Sequence, residues 1–317
     1  MAADKIRKDK TRNDLLDRLV YLALRVVAMG AHSYGIGVSM ALGRAVGNIM
    51  YAVDKKHRDR AIGNLKRSFP AMPDRTVRRL AKRSMEALCM LGVEVMFTTR
   101  LIRVDTFMRY VDLGEGFRDV LRLLLQGDRG LILLTGHYGN WEILGYVLAT
   151  LGFPTTSVAR PLDNPYVSDY VFGVRERTGQ RIIHKKRATM EVTDLLESKQ
   201  AVAFVADQNA GKKGIFVDFF GRKASAYKSI GLLAMEYDVP VVIGYARRLG
   251  DRFRFECACQ DIIYPADWKS QPDPLRYITQ RYTKAIEDFV AKDPGQYLWV
   301  HRRWKTRPKG EAPERFD

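Results

Sequence analysis

The sequence predicts an α/β protein with a mixed, largely parallel sheet flanked by helices, and a membrane-associated helical segment at its N-terminus. Apolar runs of strand length alternate with amphipathic stretches of helix length, polar residues follow several of those runs, and residues 15–53 are mostly apolar. A chain of 317 residues can bury a large core as one domain with an appendage. We divide it into a membrane-associated segment, residues 1–55, and a globular domain, residues 56–317.

The N-terminal segment begins with a basic stretch, residues 1–13, that has no signal-peptide cleavage pattern. Residues 26–43 contain no Asp, Glu, Lys or Arg, which is close to the minimum length of a transmembrane helix. Several Gly and Ser residues make this stretch only weakly hydrophobic. We therefore expect a membrane-associated helical hairpin or an interfacial helix. A single transmembrane span and an ordinary pair of core helices are the alternatives.

Three amphipathic helices are predicted before the first long strand. Apolar residues at helical spacing precede Pro70, which ends the first of these helices. Pro73-Asp74 begins a longer helix that extends to about residue 99, and residues 115–126 form the third. Two later helices are predicted over residues 225–237 and 275–291.

Five runs predict strands, and polar side chains follow three of them. The run 131–134 is followed by His137, the run 155–159 by Arg160, and the run 201–206 by Asp207-Gln208. If the strands are parallel, Arg160 lies at the same edge of the sheet as His137, the edge where open α/β sheets bind ligands. The remaining strands are predicted over residues 239–245 and 253–260.

The stretch from Gly136 to Glu142 contains the residues best suited to acid–base chemistry. A neutral imidazole accepts a proton from a hydroxyl when a carboxylate holds its other nitrogen in the right tautomer. A turn after the strand can bring Glu142 to His137, and Glu142 lies in the first turn of the following helix, where the helix dipole favours a carboxylate. A purely structural His–Glu hydrogen bond is the alternative.

The net charge of +17 indicates an anionic partner, unless the basic surface is simply solvated. Membrane lipid, nucleic acid and an acidic protein are the candidates. No zinc-finger or RNA-binding signature is present, so we expect a membrane surface and no nucleic acid. Cationic and aromatic residues alternate from Trp299 to Arg307, as they do at membrane interfaces, although a solvated basic tail has the same composition.

Cysteine and serine chemistry receive no support from the sequence. Cys89, Cys257 and Cys259 have neither metal-ligand spacing nor a disulfide pattern, which is typical of a reducing compartment. The segment Gly37-Val38-Ser39-Met40-Ala41 lacks the second glycine of a hydrolase nucleophile elbow.

The segment from Gly136 to Glu142 resembles the His-x4-Asp/Glu signature of the glycerolipid acyltransferase superfamily, and more narrowly that of the bacterial lipid A biosynthesis acyltransferases. Further blocks of that family are matched in the same order between about residues 58 and 308. These blocks are Asn64-Leu65 with Phe69-Pro70, Arg160-Pro161 with Asp163-Asn164-Pro165 followed by Arg175 and Gly179, Asp207-Gln208, Phe219-Phe220-Gly221, and Trp299 with His301-Arg302-Arg303.

The resemblance implies the acyltransferase fold and the transfer of a fatty acyl chain to a hydroxyl of a membrane glycolipid, which we expect to be a lipid A precursor. The expected donor is a thioester of acyl carrier protein. His137 would be the general base and Glu142 its support, without a metal or cofactor. The expected substrate-binding residues are Arg160, for a phosphate, together with Asn140, Arg175, Asp207 and Gln208. An oxyanion site is expected at the helix N-terminus near Gly139–Asn140.

The resemblance further implies attachment to the bacterial inner membrane, with the catalytic domain on the cytoplasmic face. Several alternatives remain open at this point. The acceptor could be a lysophospholipid or a phosphatidylinositol mannoside, and the donor could be a coenzyme A thioester. A non-enzymatic protein that binds a membrane surface or nucleic acid is the alternative from another class.

Overall fold

A seven-stranded sheet lies at the centre of the computed structural model, which describes residues 13–159, 162–177, 179–184 and 188–311. A separate two-stranded hairpin lies beside it. The strands formed by the described residues are β1 (Val111–Leu113), β2 (Leu131–Thr135), β3 (Thr156–Ala159), β4 (Arg181–His184), β5 (Ala201–Val205), β6 (Ile215–Phe219), β7 (Arg222–Ala226), β8 (Val241–Arg248) and β9 (Phe255–Ile263).

The strand order of the large sheet is β1-β9-β8-β2-β5-β3-β4. All neighbouring strands are parallel except β8 and β9, which are antiparallel. The predicted mixed, largely parallel sheet is therefore confirmed. The prediction missed β1 and β4, which are short edge strands, and it missed the β6–β7 hairpin. Phe220 and Gly221 form the turn of this hairpin with φ angles of 51° and 67°, values typical of a two-residue turn between antiparallel strands.

Helices cover both faces of the sheet and create two buried cores. Successive residues of β2 point to opposite sides: Ile132 and Leu134 pack in one core, and Leu131 and Leu133 in the other. The helices are α1 (Asp14–Val53), α2 (Lys55–Ser68), α3 (Asp74–Leu101), α4 (Phe117–Gln126), α5 (Trp141–Thr150), α6 (Pro165–Glu176), α7 (Ala188–Glu197), α8 (Lys228–Glu236), α9 (Pro265–Lys269) and α10 (Pro274–Lys292).

The N-terminal segment forms α1, in which two helical stretches meet at a kink, so the predicted helical segment is confirmed. The kink lies at Gly35 (φ 77°, ψ 167°), and the Ser39 hydroxyl donates to the carbonyl oxygens of Ala31 and Gly35 across it, at 2.8 Å each. These hydrogen bonds satisfy carbonyl oxygens that the kink leaves without their regular helical partners. By length and composition α1 is a candidate membrane segment, and in the described part of the chain it is the one helix that qualifies.

One side of α1 is packed against the protein and the other is exposed and apolar. Gly47 lies directly on the backbone of α3, because a Cβ atom there would come 2.4 Å from the Glu86 Cα. Near its start, α1 is held to α6 by a hydrogen bond from Arg18 to Tyr166. The large apolar side chains exposed along α1 are Leu15, Leu16, Leu19, Val20, Leu22, Val26, Val27, Met29, Tyr34, Val38, Leu42, Val46, Ile49 and Val53.

The C-terminal block from Trp299 to Trp304 packs inside the protein, which corrects the prediction of an aromatic and cationic membrane interface. Trp299, Arg303 and Trp304 are each 1% exposed. Arg303 donates to the carbonyl oxygens of Gln208 and Ser225, so its guanidinium binds backbone carbonyl groups within the protein. Asn64 of α2 donates to the carbonyl oxygens of Trp299 and His301, which joins two distant sequence blocks.

Candidate active site

The candidate site lies where two adjacent parallel strands end. Strands β2 and β5 are paired from Leu131 opposite Ala201 to Thr135 opposite Val205. After each of these two strands the polypeptide leaves the sheet at the same edge, so His137 and Asp207 lie side by side although they are 70 residues apart in sequence. The order of the strands, rather than the local sequence, brings this pair together.

His137 is held by Asp207 through two hydrogen bonds. The Asp207 Oδ1 lies 2.6 Å from the His137 Nδ1, and its Oδ2 accepts from the His137 backbone N–H at 2.9 Å. Burial alone would raise the pKa of Asp207, but the charge and hydrogen bonds of His137 outweigh it and hold that pKa below its ordinary value. An ionised carboxylate only accepts hydrogen bonds, so Nδ1 carries the proton and the neutral ring has its lone pair on Nε2.

Glu142 does not contact His137, contrary to the expected hydrogen bond. Its two oxygens accept from the Nε and Nη2 of Arg175 at 2.6 Å each, and the Trp141 indole N–H also donates to it at 2.9 Å. The planar guanidinium of Arg175 on α6 matches the carboxylate with two parallel hydrogen bonds, which makes it a strong partner. Glu142 and Arg175 therefore form a separate ion pair next to the histidine.

Asn140 is fully buried and serves the fold. Its side-chain oxygen accepts from the Ile143 N–H, which caps α5, and its side-chain nitrogen donates to Glu94 at 3.0 Å. The backbone N–H groups of Gly139 and Asn140 donate to the carbonyl oxygens of Gln296 and Ala246. These two N–H groups are thus occupied, which contradicts the expected oxyanion site at Gly139–Asn140.

Gly139 explains why the loop after β2 takes this path. Its φ is +55°, and a Cβ atom at this position would come 2.0 Å from the Ala246 carbonyl oxygen. Only glycine allows the loop to lie directly on β8 in this conformation. This contact fixes where α5 begins and directs Glu142 away from His137 and towards α6.

The other predicted substrate-binding residues lie in different surroundings. Gln208 is next to His137, with its Nε2 3.4 Å from the His137 Nε2. Arg175 and its ion-pair partner Glu142 both line a cavity next to His137. Asp207 does not line this cavity and lies behind His137. Arg160 lies outside the described residues. Within the described ranges, no cluster of His, Cys, Asp or Glu is arranged to hold a metal ion.

Two aromatic neighbours of His137 were not predicted as site residues. The His301 and Trp141 rings lie 4.6 Å and 4.9 Å from the His137 ring, at interplanar angles of 70° and 63°. Burial lowers the pKa of His301 to about 4, and the nearby His137 contributes in the same direction. The Trp-x-His-Arg-Arg block was the available signal for His301, but its composition favoured a surface role.

A cavity of about 750 Å³ opens beside His137. Its polar lining includes His137, Glu142, Arg175 and Gln208, and most of the remaining lining is apolar. This volume lies within the range of pockets that bury most of a drug-sized ligand. The apolar lining includes Leu144, Leu148, Val158, Phe172, Phe204 and Leu233.

A histidine held by a buried carboxylate, with its second nitrogen beside an apolar cavity, defines a site that can activate a hydroxyl next to a long apolar substrate. The family model described as bacterial lipid A biosynthesis acyltransferase matches residues 8–306. The chain belongs to this family and is an acyltransferase.

Named relatives are similar over most of their length. A lipid A biosynthesis acyltransferase of Haemophilus influenzae is 24% identical over 81% of this chain and 78% of its own. The lipid A biosynthesis lauroyltransferase of Escherichia coli K12 is 25% identical over 87% of each chain. The lipid A biosynthesis myristoyltransferase of the same organism is 24% identical over 91% of this chain and 86% of its own.

Proposed function

We propose that this enzyme transfers a fatty acyl chain from a thioester of acyl carrier protein to a hydroxyl of a lipid A precursor. The observation that carries the proposal is the His137–Asp207 pair, with the His137 Nε2 directed away from the carboxylate and His137 lining an apolar cavity. The family to which the chain belongs and the names of its relatives support the same substrate class.

His137 acts as the general base. Its Nε2 accepts the proton of the acceptor hydroxyl while the hydroxyl oxygen forms a bond to the thioester carbonyl carbon. The tetrahedral intermediate collapses by breaking the carbon–sulfur bond, and the departing thiolate takes the proton from Nε2. Asp207, 2.6 Å from Nδ1, stabilises the transient imidazolium and remains ionised throughout. The reaction yields an ester and a free thiol.

Gln208 supplies the polar contact next to the reacting atoms. Its amide nitrogen lies 3.4 Å from the His137 Nε2, where it can donate to an oxygen bound in front of the base. We assign to it the orientation of the acceptor hydroxyl or of the carbonyl oxygen during attack. A donor aimed at developing negative charge contributes several kcal/mol in such reactions.

Glu142 and Arg175 orient the acceptor from the polar side of the cavity. Each is 20% exposed, so the pair can contact a sugar or phosphate without losing its internal hydrogen bonds. Arg160 stays a prediction as a phosphate ligand. Glu142 thus becomes a substrate-positioning residue in this mechanism, and Asp207 takes the supporting role first expected of Glu142.

The apolar lining suits the acyl chain, because each methylene moved from water into such surroundings gains about 0.8 kcal/mol. The exposed apolar side of α1 suits the membrane in which the acceptor lies. The net charge of +17 fits a negatively charged carrier protein, the acceptor phosphates and the anionic cytoplasmic leaflet. We therefore propose the cytoplasmic face of the inner membrane as the place of reaction.

The test supplies the purified enzyme with matched donors and acceptors and detects the products by mass spectrometry. The donors are the same acyl chain on acyl carrier protein and on coenzyme A, and the acceptors are a lipid A precursor, a lysophospholipid and a phosphatidylinositol mannoside. We expect fastest turnover with the carrier protein and the lipid A precursor. Faster transfer to another acceptor would contradict the proposed substrate. No transfer, together with salt-sensitive binding of nucleic acid, would favour the non-enzymatic alternative.

A further inference from the structure

His301 stands out because it is a part-buried titratable group against the proposed base, with its Nε2 fully buried, and it has no role in the steps above. Its ring centroid is 4.6 Å from that of His137, and the two rings are inclined at 70°. Trp141 makes a similar contact from α5, at 4.9 Å and 63°. The His137 ring is thus bounded by two aromatic neighbours in addition to the hydrogen bond from its Nδ1 to Asp207.

The backbone around His301 is attached to the backbone of His137. The Leu298 N–H donates to the His137 carbonyl oxygen at 3.0 Å, and the His301 N–H donates to the Leu298 carbonyl oxygen at 3.2 Å. Asn64 then donates to the His301 carbonyl oxygen at 3.1 Å. His301 is consequently held in register with the base by a short turn and does not rely on side-chain packing alone.

The charge state of His301 is set by its surroundings. Burial lowers its pKa to about 4, His137 adds to this effect, and the Asp207 carboxylate opposes it. Arg303 and Arg60 also lie near this turn, but they donate to the carbonyl oxygens of Gln208, Ser225 and Val300. His301 is therefore uncharged at neutral pH, and Asp207 has to stabilise the charge of one imidazolium, that of His137.

We propose that His301 is a positioning residue for the transfer reaction: its imidazole, packed across the ring of His137, fixes the plane of the base and shuts water out of that side. The inference rests on the proposed role of His137 as the base. Proton transfer from the acceptor hydroxyl requires the His137 Nε2 to point at that hydroxyl. Rotation of the His137 ring about its Cβ–Cγ bond would turn the Nε2 lone pair away from it. A misplacement of about 1 Å can cost about a hundredfold in rate.

The test compares His301→Ala, which removes the ring, with His301→Phe, which keeps an aromatic ring without nitrogen. We expect kcat to fall about tenfold to a hundredfold in the alanine variant with KM changed less than about twofold, and the phenylalanine variant to recover most of kcat. Trp304→Phe is the structural control: this buried residue of the same block has no ring contact with His137, so the variant should lose thermal stability without losing kcat.

A third variant, His301→Lys, introduces a cation next to the base. NMR of histidine-labelled enzyme follows the His137 ring titration, and we expect its midpoint to fall by about one to two pH units relative to the wild type. Wild-type kcat in His301→Ala, or equal kcat losses in the alanine and phenylalanine variants, would overturn the proposal. So would an unchanged His137 titration in a folded lysine variant.

The NMR result also separates this inference from the proposed function. If His137→Ala retained full transfer, the mechanism would fail. A changed His137 ring titration in His301→Ala and His301→Lys would then still support the positioning contact.

Discussion

Replacing Asp207 by Asn is the sharpest test of how the base is supported. The amide has nearly the shape of the carboxylate, and its oxygen can still accept from the His137 backbone N–H, a bond that is 2.9 Å long in the wild type. The amide nitrogen then lies where Oδ1 was, 2.6 Å from the His137 Nδ1. Because that nitrogen donates, the ring must place its proton on Nε2, and a protonated Nε2 cannot accept from the hydroxyl.

The expected loss follows from this change of tautomer. Where a carboxylate that supports a catalytic histidine is replaced by its amide, kcat falls by roughly 10⁴. We expect a fall of about 10³–10⁴, which corresponds to about 4–5.5 kcal/mol at 1.36 kcal/mol per factor of ten. Because the change affects the base and not substrate binding, the loss should persist at saturating substrate.

Glu142→Gln is the matched comparison, since it makes the same chemical change in a carboxylate that contacts Arg175 and Trp141 instead of His137. We expect it to raise KM for the acceptor and to lower kcat less than about thirtyfold. Initial rates with an acyl carrier protein thioester, measured over a range of acceptor concentrations, give kcat and KM for both variants, and thermal unfolding checks that each is folded. A larger kcat loss in Glu142→Gln than in Asp207→Asn would refute the assignment and restore Glu142 as the partner of the base.

Three further predictions concern the N-terminal helix and acid stability. Gly47→Ala should destabilise the protein by about 1–3 kcal/mol because the new methyl group would clash with the Glu86 backbone. Gly30→Ala is the control: no atom lies within 4 Å of a Cβ added there, so this change should be neutral or slightly stabilising. Thermal unfolding in detergent compares the two variants. Deleting residues 1–52 should release the protein from membranes or leave only salt-sensitive attachment, and attachment unchanged in high salt would place the anchor elsewhere. The pKa of His301 is about 4 in the folded protein and about 6.5 in the unfolded chain, so the unfolded state binds the extra proton first as the pH falls. Up to about 3 kcal/mol of the free energy of unfolding is therefore lost between about pH 6.5 and pH 4. Denaturant unfolding of His301→Phe should lack this pH dependence.

The sequence predicted the position of His137 in the fold correctly but not its hydrogen-bond partner. The prediction of His137 after a buried strand depended on local pattern, and β2 and α5 confirm that setting. Pairing with Asp207 depends on β2 and β5 being neighbours in the sheet, which is a long-range property that spacing does not reveal. Glu142 was favoured because it is close to His137 in sequence. In the structure the loop at Gly139 lies against β8, and Glu142 accepts two hydrogen bonds from the guanidinium of Arg175 instead of one from His137.

Composition was a poor guide at both ends of the chain. The uncharged stretch in the N-terminal segment indicated membrane contact, but composition revealed neither the kink at Gly35 nor the close contact at Gly47. At the C-terminal end, aromatic and cationic residues such as Trp299 and Arg303 are typical of a membrane interface in composition, but here they are buried in the protein. Arg303 is tolerated there because backbone carbonyl oxygens accept from its guanidinium, and the sequence alone does not show this compensation.

The most direct test of the central claim measures acyl transfer to a lipid A precursor by the wild type and by His137→Ala, with the product detected by mass spectrometry. If His137 is the general base, a new ester forms with the wild type and none above background with the variant, while the two thermal unfolding curves remain nearly the same. A folded His137→Ala protein that transfers the acyl chain at the wild-type rate would contradict this claim.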